Sequence, residues 1–187
     1  MKYLRLNGCP VSSIQGVQNL PYLIELDIKD TNVSDISPLK AFNYTYASEQ
    51  GGFSLFLSGA PVSDYSPLAS IPVLNTININ DVDEINYINY LKNTEIRRMD
   101  FCNSFKGNNN TDSNKLFAEF IRSHPGLQEI WIPWNQGITD LTPVLELKNV
   151  EYIHVSYDME KAISSLDGKE YGFELQIEGE EDTSDNE

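Results

Sequence analysis

An internal repeat constrains this chain more than any other feature. The segment Leu4-Arg5-Leu6-Asn7-Gly8-Cys9-Pro10-Val11-Ser12-Ser13-Ile14 matches Leu26-Asp27-Ile28-Lys29-Asp30-Thr31-Asn32-Val33-Ser34-Asp35-Ile36 at an offset of 22 residues. The match continues with Val17 on Leu39 and Leu20 on Phe42. The unit returns from Leu55 to Leu68, and again at Ile77 and Ile79, where Val82, Ile85, Ile88 and Leu91 keep a three-residue spacing. Weaker copies start at Met99 with Phe101, Ile130 with Ile132, and Ile153 with Val155. A unit this short cannot bury its apolar edge alone. Stacking on its neighbours does so, and the product is a solenoid.

Each unit has two halves with different periods. The first is apolar-x-apolar, the alternation of a short strand with one face inward. The second is apolar at every third residue, which gives a 3₁₀-like segment one buried edge. Turn formers join them at Asn7-Gly8, Asp30-Thr31-Asn32 and Ser58-Gly59. Segments Ser34 to Pro38 and Ser63 to Pro67 open the second half. Their Ser and Asp side chains can cap backbone donors, and proline suits a first turn.

This pattern closely resembles the leucine-rich repeat, in the 22-residue form of internalin-like bacterial proteins. Leu23, Leu26, Ile28, Thr31, Val33, Ser34, Asp35, Ile36, Ser37, Pro38 and Leu39 carry the resemblance, with their counterparts in neighbouring units. It spans about residues 1 to 156. It implies an α/β leucine-rich repeat solenoid, a curved rod with about eight short parallel strands on the concave face and 3₁₀ or α segments on the convex face. It also implies binding of a protein or peptide on that concave face. One position departs from the family. The asparagine-ladder site holds Cys9, Thr31 and Ala60; alanine cannot bond a neighbouring turn, so a partial ladder and a looser turn near Ala60 are expected.

The array also departs from itself. An insertion near Tyr44 to Gln50 lengthens the third unit. The fifth is lengthened by a loop from Asn103 to Asn110 and then a helix predicted over Asp112 to His124. Leu116, Phe117, Phe120 and Ile121 form its apolar face, Thr111 or Asp112 its N-cap, and Pro125-Gly126 its stop. After Asp158 another helical segment turns Ala162, Ile163 and Leu166 inward, and Asp167-Gly168 leads to a last strand from Phe173 to Ile177. The first strand begins almost at Met1, so either the chain begins upstream or a short edge flanked by Lys2 and Arg5 serves without a cap.

Charge narrows the function classes. Among 187 residues, 28 Asp and Glu oppose 13 Lys and Arg, for a net charge of -15. Such a chain repels phosphate backbones, so nucleic acid is not an expected partner, and a basic protein is easier to accept. No apolar run approaches the ~20 residues of a membrane span, so no membrane role is expected. The acidity peaks in residues 178–187, which are predicted to form an acidic disordered tail after a repeat domain over residues 1–177. Cys9 and Cys102 show no metal-ligand spacing, and the N-terminus lacks the apolar core of a signal peptide, which together point to a reducing, cytoplasmic setting.

Catalytic signatures are missing. The sequence has no Gly-rich phosphate loop, GxSxG elbow or HExxH. His124 ends the inserted helix, where a positive side chain would suit the dipole, and His154 sits on a strand in another unit. Two histidines so separated do not form a catalytic set, and neither an enzyme nor a cofactor is expected.

The strand residues between the apolar ones should face solvent in three rows. The middle row is Arg5, Asp27, Phe56, Asn78, Asp100, Trp131 and His154. The row before it is Tyr3, Glu25, Ser54, Thr76, Arg98, Glu129 and Tyr152. The row after it is Asn7, Lys29, Ser58, Asn80, Cys102, Pro133 and Ser156. Trp131, Tyr152 and His154 should cluster near the C-terminal end. Trp134 either joins them or buries into the turn, and Phe56 stands apart. Tryptophan and tyrosine dominate binding hot spots, although aromatics also favour strands for packing alone. Asp100 and Glu129, with Glu25 and Asp27, add a negative field. The candidate partner-binding residues are therefore Trp131, Tyr152, His154, Phe56, Trp134, Asp100 and Glu129. Two readings stay open: a protein-binding module, and an acidic immunity protein or antitoxin that occludes a basic toxin.

Overall fold

A computed structural model describes residues 1–79, 88–101, 113–134 and 137–179. Eight parallel strands form one open sheet in chain order, each paired to the next. They are β1 (Tyr3–Arg5), β2 (Glu25–Asp27), β3 (Phe53–Phe56), β4 (Val73–Asn78), β5 (Glu95–Asp100), β6 (Glu129–Trp131), β7 (Tyr152–Ser156) and β8 (Glu174–Glu178). Short 3₁₀ segments at Val17–Asn19, Ser37–Ala41, Ser66–Ser70 and Thr142–Glu146 return the chain on the other side. The architecture is the parallel-strand solenoid that the resemblance implies.

Register follows the repeat offsets. Leu4, Leu26, Leu55, Ile77, Met99, Ile130, Ile153 and Leu175 pair across all eight strands as one ladder. The six between the edges are 0% exposed. Each therefore has apolar neighbours on both flanks, which an isolated unit could not supply. The predicted caps also form. Asp35 Oδ1 accepts the Ser37 N–H at 2.8 Å and Asp64 Oδ1 accepts the Ser66 N–H at 2.8 Å, just ahead of Pro38 and Pro67. Hydrogen bonds from the Ser37 and Ser66 side chains, together with these backbone bonds, hold both carboxyls below their usual range. Asp140 repeats the device, accepting from Thr142 at 2.9 Å before Pro143.

The insertions become helices on the side opposite the open sheet face. The first folds as α1 (Thr45–Glu49), beneath which Phe42, Tyr44 and Phe53 pack ring against ring. The turn α2 (Ile88–Leu91) buries both its end residues. The predicted long helix is α3 (Ser113–Ser123), with Phe117, Phe120 and Ile121 fully buried and Leu116 partly so. Its proposed N-cap residues and the loop from Asn103 to Asn110 lie outside the described residues, as does Cys102. Finally α4 (Glu160–Ser164) turns Ala162 inward.

His124 follows the end of α3 and is 3% exposed, stacked on Phe120, with Nε2 3.0 Å from the Leu91 carbonyl oxygen and Nδ1 2.9 Å from Ser123 Oγ. It ties α3 to the end of α2. Before Ala60 the turn approaches the preceding repeat closely. Gly59 holds φ +74°, and a β-carbon there would stand 2.2 Å from Asp30 Oδ1. At the ladder position, the Thr31 hydroxyl donates to the Ile28 carbonyl of its own repeat at 2.7 Å.

Candidate partner-binding face

Strand alternation aims the first and middle rows away from the core, and the pairing confirms both. Arg5, Asp27, Phe56, Asn78, Asp100, Trp131 and His154 meet in register, as do Tyr3, Glu25, Ser54, Thr76, Arg98, Glu129 and Tyr152. β8 extends the rows with Glu174 and Gln176. Outward aim is not the same as exposure. Asp27, Ser54, Thr76, Asn78 and His154 are buried on this open face.

Toward the start of the sheet the face neutralises itself. Arg5 pairs with Glu25 at 2.5 Å, and Lys29 lies 4.0 Å from Asp27 with its Nζ 5.5 Å from the Phe56 ring centre. Phe56 is half-buried under that lysine. In the middle, Asn78 Nδ2 donates to Asp100 at 2.5 Å, so this partly exposed carboxylate is engaged within the sheet.

Toward the end, one carboxylate organises three side chains. Glu129 Oε1 accepts the Trp131 indole N–H at 2.5 Å and the His154 Nε2–H at 3.1 Å, while Oε2 accepts from Arg98 Nε at 2.6 Å. Burial pushes the Glu129 carboxyl up. The bonds from Trp131 and Arg98 and the charges of Arg98 and His154 outweigh it and hold the group below its ordinary range. The imidazole of His154 stacks on the Trp131 indole at 3.8 Å and 17°. Tyr152, 38% exposed, tilts against the same imidazole at 6.4 Å. Trp131 is thus fixed at its edge and its face, which is preorganisation for contact. A polar cleft of about 240 Å³ adjoins the cluster, lined by Asn75, Thr76, Arg97, Arg98, Gln128 and Glu129.

Comparison with solved structures finds a likeness of fold. The chain is similar in structure to internalin C2 from Listeria monocytogenes, at 19% identity and a TM-score of 0.45, over 94% of this chain and 80% of that one. No family model and no curated protein matches it.

The structure thus groups Trp131, Tyr152, His154 and Glu129, and leaves Phe56 and Asp100 on other strands. His154 is 6% exposed, so it acts here through Trp131 and Glu129, which it touches. Trp134 does not bury into the turn but stands 53% exposed on the strand-end rim. Tyr157, on the end of the next strand, is 58% exposed; the three rows omit it because it follows the last strand position. Its signal was available: Tyr157 follows His154 by three residues, as Trp134 follows Trp131. Among the described residues no group of three His, Cys, Asp or Glu could hold a metal ion, and no helix is long and apolar enough to cross a membrane.

Proposed function

We propose that this chain is a non-enzymatic, cytoplasmic interaction module of the 22-residue internalin-like repeat type, holding a protein or peptide on the open sheet face over β6 and β7. The observation that carries this reading is the braced Trp131 beside the exposed Tyr152. An aromatic pair kept rigid and partly solvated on a polar sheet is the form of a binding hot spot, since ordering it on association costs little. Both Glu129 oxygens are occupied by donors, so the carboxylate positions its neighbours and is not set up as a free base.

The test is affinity capture of the partner, then titration with Trp131→Ala, Tyr152→Ala. Loss of about thirtyfold or more in affinity is expected, equivalent to about 2 kcal/mol. Unchanged affinity in a variant with wild-type circular dichroism moves the site elsewhere. The net charge of -15 favours a second reading, an immunity protein or antitoxin that covers a basic toxin. Protection of cells from a co-expressed toxin would distinguish it from a general binding module.

A further inference from the structure

The strand ends of the last repeats carry two large, exposed aromatic residues. Trp131 and His154 pair in register, so Trp134 and Tyr157, each three residues later, occupy equivalent places on neighbouring strand ends. In other repeats this place holds Gly8, Asp30, Gly59 and Gly179, all left-handed, with φ of +69°, +54°, +74° and +79°. Trp134 takes the same conformation at φ +57°. A bulky residue is disfavoured there, and packing does not account for it, because more than half of Trp134 stays in solvent. Tyr157 is flanked from the β8 side: a β-carbon at Gly179 would stand 3.0 Å from its Cδ1, so the glycine lets the ring lie close.

A second observation concerns charge. Near the start of the chain, rings have their own cations: Arg5 lies over Tyr3 at 5.4 Å, Lys29 over Phe56 at 5.5 Å and Lys2 over Tyr46 at 5.5 Å. Among the described residues no lysine or arginine lies over Trp134 or Tyr157. Residues 129–179 hold ten acids against three bases, Lys148, Lys161 and Lys169, and none of those bases is on β6, β7 or β8. One carboxylate is tied to the rim itself. The Trp134 N–H donates to Ser156 Oγ at 2.7 Å, and the Ser156 hydroxyl donates to Asp158 Oδ1 at 2.5 Å. A cleft of about 330 Å³ opens beside it, where Asp158 and Glu160 face a single lysine, Lys161.

We propose that Trp134 and Tyr157 seat a lysine or arginine side chain of the protein partner, its cation over the aromatic faces and beside the Asp158 carboxylate. The partner then presents a basic segment to this rim. The inference rests on the reading that β6 and β7 bind a protein, and names the chemistry of that partner.

The test titrates a six-arginine peptide into the full chain at low salt, with a six-citrulline peptide as the uncharged control of like shape. Aromatic ring resonances report the site, with the two indoles assigned from Trp131→Phe and Trp134→Phe. The arginine peptide should shift Trp134 and Tyr157, and the citrulline peptide should not. Trp134→Leu and Tyr157→Leu should each weaken binding about three- to tenfold, while phenylalanine at either place should stay within about twofold. Trp134→Gly, which suits the left-handed φ, should bind as weakly as Trp134→Leu without melting below it. Every variant keeps the net charge, so mere attraction of arginines to an acidic chain would leave affinity unchanged. That outcome, or equal binding of the citrulline peptide, overturns the proposal. Loss of peptide binding only in Trp131→Ala, Tyr152→Ala overturns the rim seat and leaves the binding face. A captured partner weakened by the rim variants but indifferent to Trp131 and Tyr152 overturns the face and leaves the seat.

Discussion

Replacing Glu129 with glutamine tests the brace beneath Trp131 with little change of shape. Glutamine keeps one carbonyl oxygen, which can still accept from Trp131 and His154, but without charge. Hydrogen bonds to a charged acceptor are about twice as strong as neutral ones, so on the order of 1 kcal/mol is lost at each of the two donors. The amide nitrogen then faces Arg98, donor against donor. Arg98 is 45% exposed in its side chain, so that pair adds no more than about 1 kcal/mol. The sum is a loss of about 2–3 kcal/mol at neutral pH, read from urea unfolding of both proteins. The sign with pH follows from the shift. The fold holds the Glu129 carboxyl below its ordinary 4.5, so its charge-dependent stabilisation is complete above that value and is lost as pH falls through the lower folded one. Other carboxylates are common to both proteins and cancel, so the gap between them should narrow below about pH 4. A gap under about 0.5 kcal/mol at pH 7, or one that persists unchanged to pH 3, refutes the brace.

Leu55→Ala, at a site with no exposure, should cost about 2–5 kcal/mol in denaturant unfolding, whereas Arg5→Ala on the open face should barely move the midpoint. Thr31→Val removes the donor to the Ile28 carbonyl and should cost about 1–3 kcal/mol in the same assay, since that oxygen stays buried. Cys9 is exposed and free, so a maleimide should label it in the folded protein without denaturant or reductant; no labelling before unfolding would contradict its placement.

Strand order and register were legible because they depend on spacing alone. An offset that puts Leu26 on Leu55 also puts Asp27 on Phe56, and one frame carries every row. The Asp35 and Asp64 caps were legible for the same reason, as their bonds reach only two residues along the chain. What escaped depends on side-chain reach between repeats. Nothing in the pattern says that Trp131 lies over His154 or that Lys29 covers Phe56, because those contacts are set by rotamers on adjacent strands. The burial of His124 was not legible because its place at a helix end does not show that the preceding repeat supplies the Leu91 carbonyl it meets. Trp134 was uncertain because its exposure follows from a left-handed turn that glycine marks in other repeats and tryptophan does not.

The central claim, that a partner covers the open face at β6 and β7, is tested most directly by hydroxyl-radical footprinting of the aromatic side chains with and without the captured partner. Tyr3, Tyr22 and Tyr90, exposed elsewhere, serve as internal references. The account predicts that binding protects Trp131 and Tyr152, with Trp134 and Tyr157 on the adjoining rim, and leaves the three references oxidised at their free rates. Protection of Tyr3, Tyr22 or Tyr90 with no change at Trp131 and Tyr152 would contradict it.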